Sequence, residues 1–180
     1  MDLIYFEQQA FQLNNCKNLI KFFEDNKDKA TRGEMGNAEL DNLEIKCDFN
    51  KNNYFGLRDC LIEETEKFKK TYPLFDKALG PWYLEAGFQL CKFLPNDYYK
   101  VIHCEQDGAS KHIRRVFVWM VYLNDIKNGG QTEFLHQHFK TQAKAGNLYI
   151  WPAGPTHMHR GVPSPNSNKY FATGWFSFNE

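Results

Sequence analysis

The chain has 180 residues and a mass of 21.2 kDa, enough for one compact domain and too short for a TIM barrel or a two-domain dehydrogenase. Lys+Arg and Asp+Glu stand at 22 each, and that neutral balance argues against a dedicated nucleic-acid binder or a protein that coats anionic membranes. Hydrophobic residues make up 42% and aromatics 16%, ample material for a packed core and no basis for disorder.

The longest apolar run, Val116 to Leu123, is far too short to cross a bilayer. Met1-Asp2-Leu3 puts no basic segment ahead of an apolar one, so no signal peptide is expected. The five cysteines (Cys16, Cys47, Cys60, Cys91, Cys104) are odd in number and widely spaced, with no C-x-x-C. Reduced thiols in a cytoplasm are therefore the simplest expectation.

The N-terminal part, 1–83, reads as a helical support region. Asn15 is an expected N-cap for a helix over Cys16 to Phe23, where Leu19, Ile20 and Phe23 share a face. Thr31 to Asp41, with Gly33, Gly36 and Asn37, reads as a loop, and Leu43 to Asp48 alternates like a short strand. Leu57 to Tyr72 repeats Leu57, Cys60, Leu61, Phe68 and Tyr72 at helical intervals, with Pro73 and then Gly80-Pro81 as stops. From about Leu84 the period changes to two, and 84–180 reads as the barrel core. Strands are expected over Ala86 to Leu94, Tyr98 to Glu105, Arg115 to Leu123, Thr132 to Leu135, Asn147 to Trp151 and Tyr170 to Phe178. Turn-like stretches such as Asp107-Gly108 and Gly129-Gly130 separate them. A mainly β fold follows, an antiparallel sandwich or barrel with helices packed on one face.

Within the second expected strand, His103 and Glu105 project to the same side, because residues i and i+2 share a face. A distant segment, Thr156-His157-Met158-His159-Arg160-Gly161, supplies a further histidine. Two ligands from one strand and one from elsewhere suit a facial iron(II) triad, which leaves the other metal positions open for substrate and dioxygen. Lys169 follows His159 by ten residues, and a buried cation there can hold the far carboxylate of a dicarboxylic cosubstrate.

Together with Arg115 to Asp125, Gly129-Gly130-Gln131-Thr132-Glu133-Phe134, Ala145-Gly146-Asn147-Leu148 and Trp175, these residues resemble the 2-oxoglutarate/Fe(II)-dependent oxygenases, and among them the prolyl 4-hydroxylase-like group. The resemblance covers roughly Phe88 to Phe178 and looks like a compact bacterial or phage member. It implies a double-stranded β-helix (cupin or jelly-roll) barrel that takes Fe(II), 2-oxoglutarate and O2, with ascorbate as reductant. Carried over, the iron ligands are His103, Glu105 and His159. Lys169 binds the distal 2-oxoglutarate carboxylate with Thr132 beside it, and Arg115 and Trp175 lie on the substrate side. His157 is the rival for the distal histidine; the interval to Lys169 and the following Arg160-Gly161 favour His159.

Two departures stand out. The family's carboxylate is usually aspartate, and here Glu105 is one methylene longer, with Asp107 as the fallback. Phe93 stands where many prolyl hydroxylases place a tyrosine that meets 2-oxoglutarate. The remaining residues have plainer expectations. His112, His136, His138, Lys111 and Arg114 read as solvated loop, Cys104 as filler facing away from the metal, and Trp119, Trp151 and Tyr122 as packing. Tyr98 or Tyr99 is expected at the mouth of the site. The expected reaction is hydroxylation of an unactivated C–H bond, foremost in a prolyl residue of a peptide or protein. The alternatives are a free amino acid or small metabolite as substrate, or a non-catalytic cupin-like binding barrel.

Overall fold

A computed structural model describes residues 3–35 and 38–179. In chain order its elements are β1 (Tyr5–Glu7), α1 (Leu13–Asp25), β2 (Thr31–Met35), β3 (Ala38–Asp48), α2 (Leu57–Thr71), α3 (Pro73–Ala78), β4 (Trp82–Phe93), β5 (Arg115–Tyr122), β6 (Thr132–Phe134), β7 (Phe139–Lys140), β8 (Leu148–Pro152), β9 (His159–Gly161) and β10 (Lys169–Phe178). Seven strands form an antiparallel sheet in the order β1-β8-β5-β10-β4-β3-β2, and three form a smaller one, β7-β6-β9. No helix among the described residues is long and apolar enough to cross a membrane.

The large sheet carries a different core on each face, which explains why β5 is apolar throughout. Phe117, Trp119 and Val121 pack with Leu19, Phe23, Leu57, Leu61 and Phe68 of α1 and α2. Val118, Met120 and Tyr122 point the other way and pack with Phe134, Trp151 and Phe171 between the two sheets. Buried Cys16, Leu19 and Phe23 in α1, and Leu57, Leu61, Glu64 and Phe68 in α2, fall at the spacing that puts them on one face. The helices cover one side of the sheet, and the small sheet closes the other into the double-stranded β-helix.

Several boundaries differ from the sequence expectation. Helix α1 begins two residues before Asn15: the Gln12 carbonyl accepts from the amides of Asn15 and Cys16 at 2.9 and 3.0 Å, so Asn15 lies inside the first turn. Pro73 ends α2 and also opens α3, where its missing N–H costs nothing. The stretch expected as a loop from Thr31 forms β2 and the start of β3, with Gly33 at a register shift between Arg32 and Glu34; Gly36 and Asn37 lie outside the described residues. Leu43–Asp48, expected as a short strand, is the part of β3 that pairs with β4.

The largest correction concerns Tyr98 to Glu105, which is not a regular strand. It meets β9 through one isolated antiparallel bridge, His103 with His159. Gly161 donates to the Tyr99 carbonyl at 2.9 Å, and His103 and His159 exchange amide bonds at 3.0 and 2.9 Å. Between these contacts one segment advances four residues while β9 advances two, so the chain bulges outward at Lys100 to Ile102. The Gly129-Gly130 turn leads into β6 with φ of +77° and +76°. Gly129 is pressed so close to the loop after β9 that a Cβ there would lie 1.8 Å from the Pro163 carbonyl oxygen.

Candidate metal centre and cosubstrate cleft

The space between the sheets opens as a cleft of about 750 Å³. The bulge ahead of His103 turns the Val101 carbonyl back toward the ring, and His103 Nδ1 bonds it at 2.9 Å. Across the bridge, His159 Nδ1 bonds the His157 carbonyl at 2.8 Å. A carbonyl can only accept, so each Nδ1 carries a proton, and in the neutral tautomer this bond selects, Nε2 is the atom with the lone pair. Both Nε2 atoms face Glu105 Oε1, from His103 at 3.4 Å and from His159 at 3.9 Å. The ligating atoms of these three residues lie within 4.8 Å of one another.

Electrostatics prepare the cluster for a cation. Burial alone would push the Glu105 carboxyl up, but His103, His159 and Arg115 outweigh it and hold the group down at about 2. Burial, reinforced by His103, lowers His159 to about 4. At neutral pH the cluster therefore presents an ionised carboxylate and a neutral imidazole at position 159, the protonation states a metal requires. Among the described residues this is the cluster whose donors could hold a metal ion, and its two nitrogens and one oxygen suit iron(II).

Lys169 enters the same cleft from the first residue of β10. Its Nζ lies 4.8, 5.2 and 5.8 Å from the ring centres of Phe171, Tyr122 and Phe93, and among the described residues no carboxylate pairs with it. Burial lowers its pKa to about 8. Thr132, on the small sheet, lies near Lys169 through Tyr122, whose hydroxyl is 3.2 Å from Thr132 Oγ1 and 2.5 Å from Thr141 Oγ1. A buried ammonium with no counter-ion among the described residues could hold a carboxylate.

The other sequence candidates fall as follows. Asp107 turns away to cap the amide of Ala109 and bond His112 Nδ1 at 2.9 Å. His157 faces Thr156 Oγ1 at 3.0 Å, contributing its backbone carbonyl, and not its ring, to the cluster. Phe93 packs over Lys169 and stacks on Phe171. Tyr99 lines the cleft with its ring 4.1 Å from that of His103, while His136 and His138 are exposed. Arg115 and Trp175, expected on the substrate side, line the cleft but both bind the outer oxygen of Glu105, at 3.2 and 2.8 Å.

Sequence reasoning missed three contributions. Tyr122 ties the lysine seat to the small sheet as well as packing. The Val101 and His157 carbonyls set both imidazoles, and a backbone carbonyl leaves no trace in residue type. Asn42, Glu44 and Lys46 extend the cleft wall along β3; their alternation with Leu43, Ile45 and Cys47 was the available signal.

Comparison with known proteins gives the same picture. A family model described as the 2OG-Fe(II) oxygenase superfamily matches residues 88–177. A protein of Acanthamoeba polyphaga mimivirus, named as a candidate prolyl 4-hydroxylase, is 28% identical over 104 residues, covering 49% of this chain and 43% of that one; the chain thus matches less than half of that relative's length. Similar folds include the viral collagen prolyl hydroxylase of Paramecium bursaria Chlorella virus-1, solved with 2-oxoglutarate, at TM-score 0.75 and 16% identity over 99% of this chain and 97% of that one. A Pseudomonas putida prolyl-4-hydroxylase follows at TM-score 0.72 and 13% identity, covering 100% and 95%. A Trichoplax adhaerens prolyl hydroxylase, solved with a hypoxia inducible factor peptide fragment, has TM-score 0.74 and 11% identity, covering 98% and 84%. With a family model spanning half its length, and with a His-x-Glu…His cluster and a buried lysine lining one cleft, the chain belongs to the 2OG-Fe(II) oxygenase superfamily.

Proposed function

We propose that the protein is an Fe(II)- and 2-oxoglutarate-dependent dioxygenase that hydroxylates a prolyl residue in a peptide or protein. The observation that carries this reading is the convergence, in one cleft, of the His103–Glu105–His159 donor set and the buried Lys169 ammonium, which has no carboxylate partner among the described residues. In the bound state, iron(II) with 2-oxoglutarate and dioxygen supplies the oxidation of an unactivated C–H bond, with succinate and carbon dioxide as co-products.

The chain's own residues do the positioning. His103 and His159 offer their Nε2 lone pairs because Nδ1 is tied to backbone in each ring. Glu105 offers Oε1, and the ligands leave the open side of the cleft free. Lys169 holds the distal carboxylate of 2-oxoglutarate, and Thr132 offers a hydroxyl at the same end. Phe93, Tyr122 and Phe171 keep water from that seat, which strengthens the charge pairing within it. A prolyl substrate is supported by the names of the relatives.

The test is succinate formation by the purified protein with iron(II), 2-oxoglutarate, ascorbate and oxygen, with and without a proline-rich peptide. Iron-dependent succinate that rises with peptide, and a peptide that gains one oxygen atom on proline, is the expected result. Turnover indifferent to peptide would move the substrate to free amino acids or small metabolites. A protein that binds iron and 2-oxoglutarate yet makes no succinate with any of these would be a non-catalytic barrel.

A further inference from the structure

Glu105 is divided between two tasks. Its Oε1 faces both imidazoles, at 3.4 and 3.9 Å, while its Oε2 accepts from Trp175 Nε1 at 2.8 Å and from an Arg115 guanidinium nitrogen at 3.2 Å. The two donors also hold each other, with the guanidinium carbon 3.6 Å above the Trp175 ring. Both come from places where the ladders slip: β10 shifts register against β4 between Gly174 and Phe176, and against β5 between Phe176 and Ser177, which is paired with Arg115. Such irregularities re-aim side chains, and here two neighbouring ones aim an indole N–H and a guanidinium at one oxygen.

A glutamate has one more rotatable bond than an aspartate, so a free Glu105 would lose more entropy on meeting a metal and could turn both oxygens toward it. Two donors fixed on Oε2 remove that freedom and leave Oε1 facing the histidines. We propose that Arg115 and Trp175 are positioning residues that set Glu105 as a one-oxygen metal ligand, and that this clamp is how the longer carboxylate serves in this chain. The proposal rests on the reading of Glu105 as a ligand. It assigns Arg115 and Trp175 to the metal side of the cleft, in place of the substrate role that family resemblance implies.

Cobalt(II), added without oxygen, reads both affinity and ligand field through its visible absorption. Trp175→Phe keeps the ring beneath the guanidinium and removes only the N–H; Arg115→Gln removes the charge. Each should weaken cobalt binding about 10- to 100-fold, the usual effect of losing a partner behind a metal ligand, and each should shift the cobalt bands, which a merely structural role would not move. Glu105→Gln is the control for the ligand reading and should lose cobalt outright. If Trp175→Phe and Arg115→Gln bind cobalt with wild-type affinity and spectrum while Glu105→Gln does not, the clamp is wrong and Glu105 remains a ligand. If Glu105→Gln binds cobalt like the wild type, the ligand reading fails and the clamp falls with it. A higher peptide KM with an unchanged cobalt spectrum would return both residues to the substrate side and overturn the proposal.

Discussion

Replacing Lys169 with methionine should move stability and cosubstrate affinity in opposite directions. The residue is 5% exposed and is surrounded by Phe93, Tyr122 and Phe171, with no anion beside it among the described residues, so its charge is uncompensated there. Burial moves its pKa from 10.5 to about 8, which corresponds to about 3 kcal/mol against the charged form. The titratable groups facing it, Cys91 and Tyr122, are neutral at pH 7: burial pushes the Cys91 thiol well up and the Tyr122 phenol up to about 12. A lysine whose folded pKa lies below its unfolded value destabilises fully below pH 8, and stability recovers as pH rises toward 10.5. Lys169→Met keeps the length and apolar stem, so at pH 7 the ligand-free variant should gain up to about 3 kcal/mol, or about 5–10 °C in midpoint for a chain of this size. The gain should fade by pH 10. Affinity for 2-oxoglutarate should fall at least about 30-fold, because a desolvated carboxylate loses its partner, a change worth about 2 kcal/mol or more. Wild-type affinity should itself weaken above pH 8 as the ammonium loses its proton. Thermal unfolding at the two pH values, and calorimetric titration of 2-oxoglutarate into the oxygen-free manganese(II) protein, measure these effects. A ligand-free variant less stable than the wild type, or one with unchanged 2-oxoglutarate affinity, would refute the reasoning.

Three further expectations concern other parts of the molecule. His159→Ala should abolish cobalt binding in an equilibrium titration, whereas His157→Ala should keep it, since His157 contributes a backbone carbonyl; loss in His157→Ala alone would reassign the ligand. Phe68 is 1% exposed and meets the rings of Tyr5, Tyr72, Phe75, Trp82 and Phe117. Phe68→Ala should therefore cost about 3–5 kcal/mol in urea unfolding, and a loss under about 1 kcal/mol would contradict the packing of α2 on the sheet. Gly129→Ala places a Cβ against the Pro163 carbonyl in a left-handed backbone; it should lower stability by about 2 kcal/mol or more, and an unchanged thermal midpoint would count against that turn.

Much of the candidate site was legible because its chemistry lives in residue type and spacing. His103, Glu105, His159, Lys169 and Thr132 all reach one cleft. The local structure around the first two candidate ligands was not legible. Residues i and i+2 do converge at positions 103 and 105, but through a bulge and an isolated bridge, with the ring set by Val101. Local alternation cannot distinguish a paired strand from an extended segment whose partner is short. The β2–β3 hairpin was half hidden: Leu43–Asp48, which pairs with β4, alternates as a strand should, whereas β2 and the start of β3 owe their strand character to pairing with each other and not to their own polar, glycine-containing sequence. The partners of Arg115 and Trp175 were out of reach as well, because ladder irregularities far along the chain decide where those side chains point.

The single bridge between His103 and His159 has a consequence for local folding. The segment from Leu94 to Arg114 belongs to no regular element and touches the small sheet through scattered amide bonds, yet it carries two of the three candidate ligands. Such a tract opens at a lower free energy than the strands around it, and a cation gripped from both sides would rivet it to β9, adding its binding energy to that local equilibrium alone. Amide exchange at 99–106 should therefore slow sharply when manganese(II) is added, while the interior of β5 and β10 stays as protected as before. A metal held there would fasten the loop that carries its own ligands.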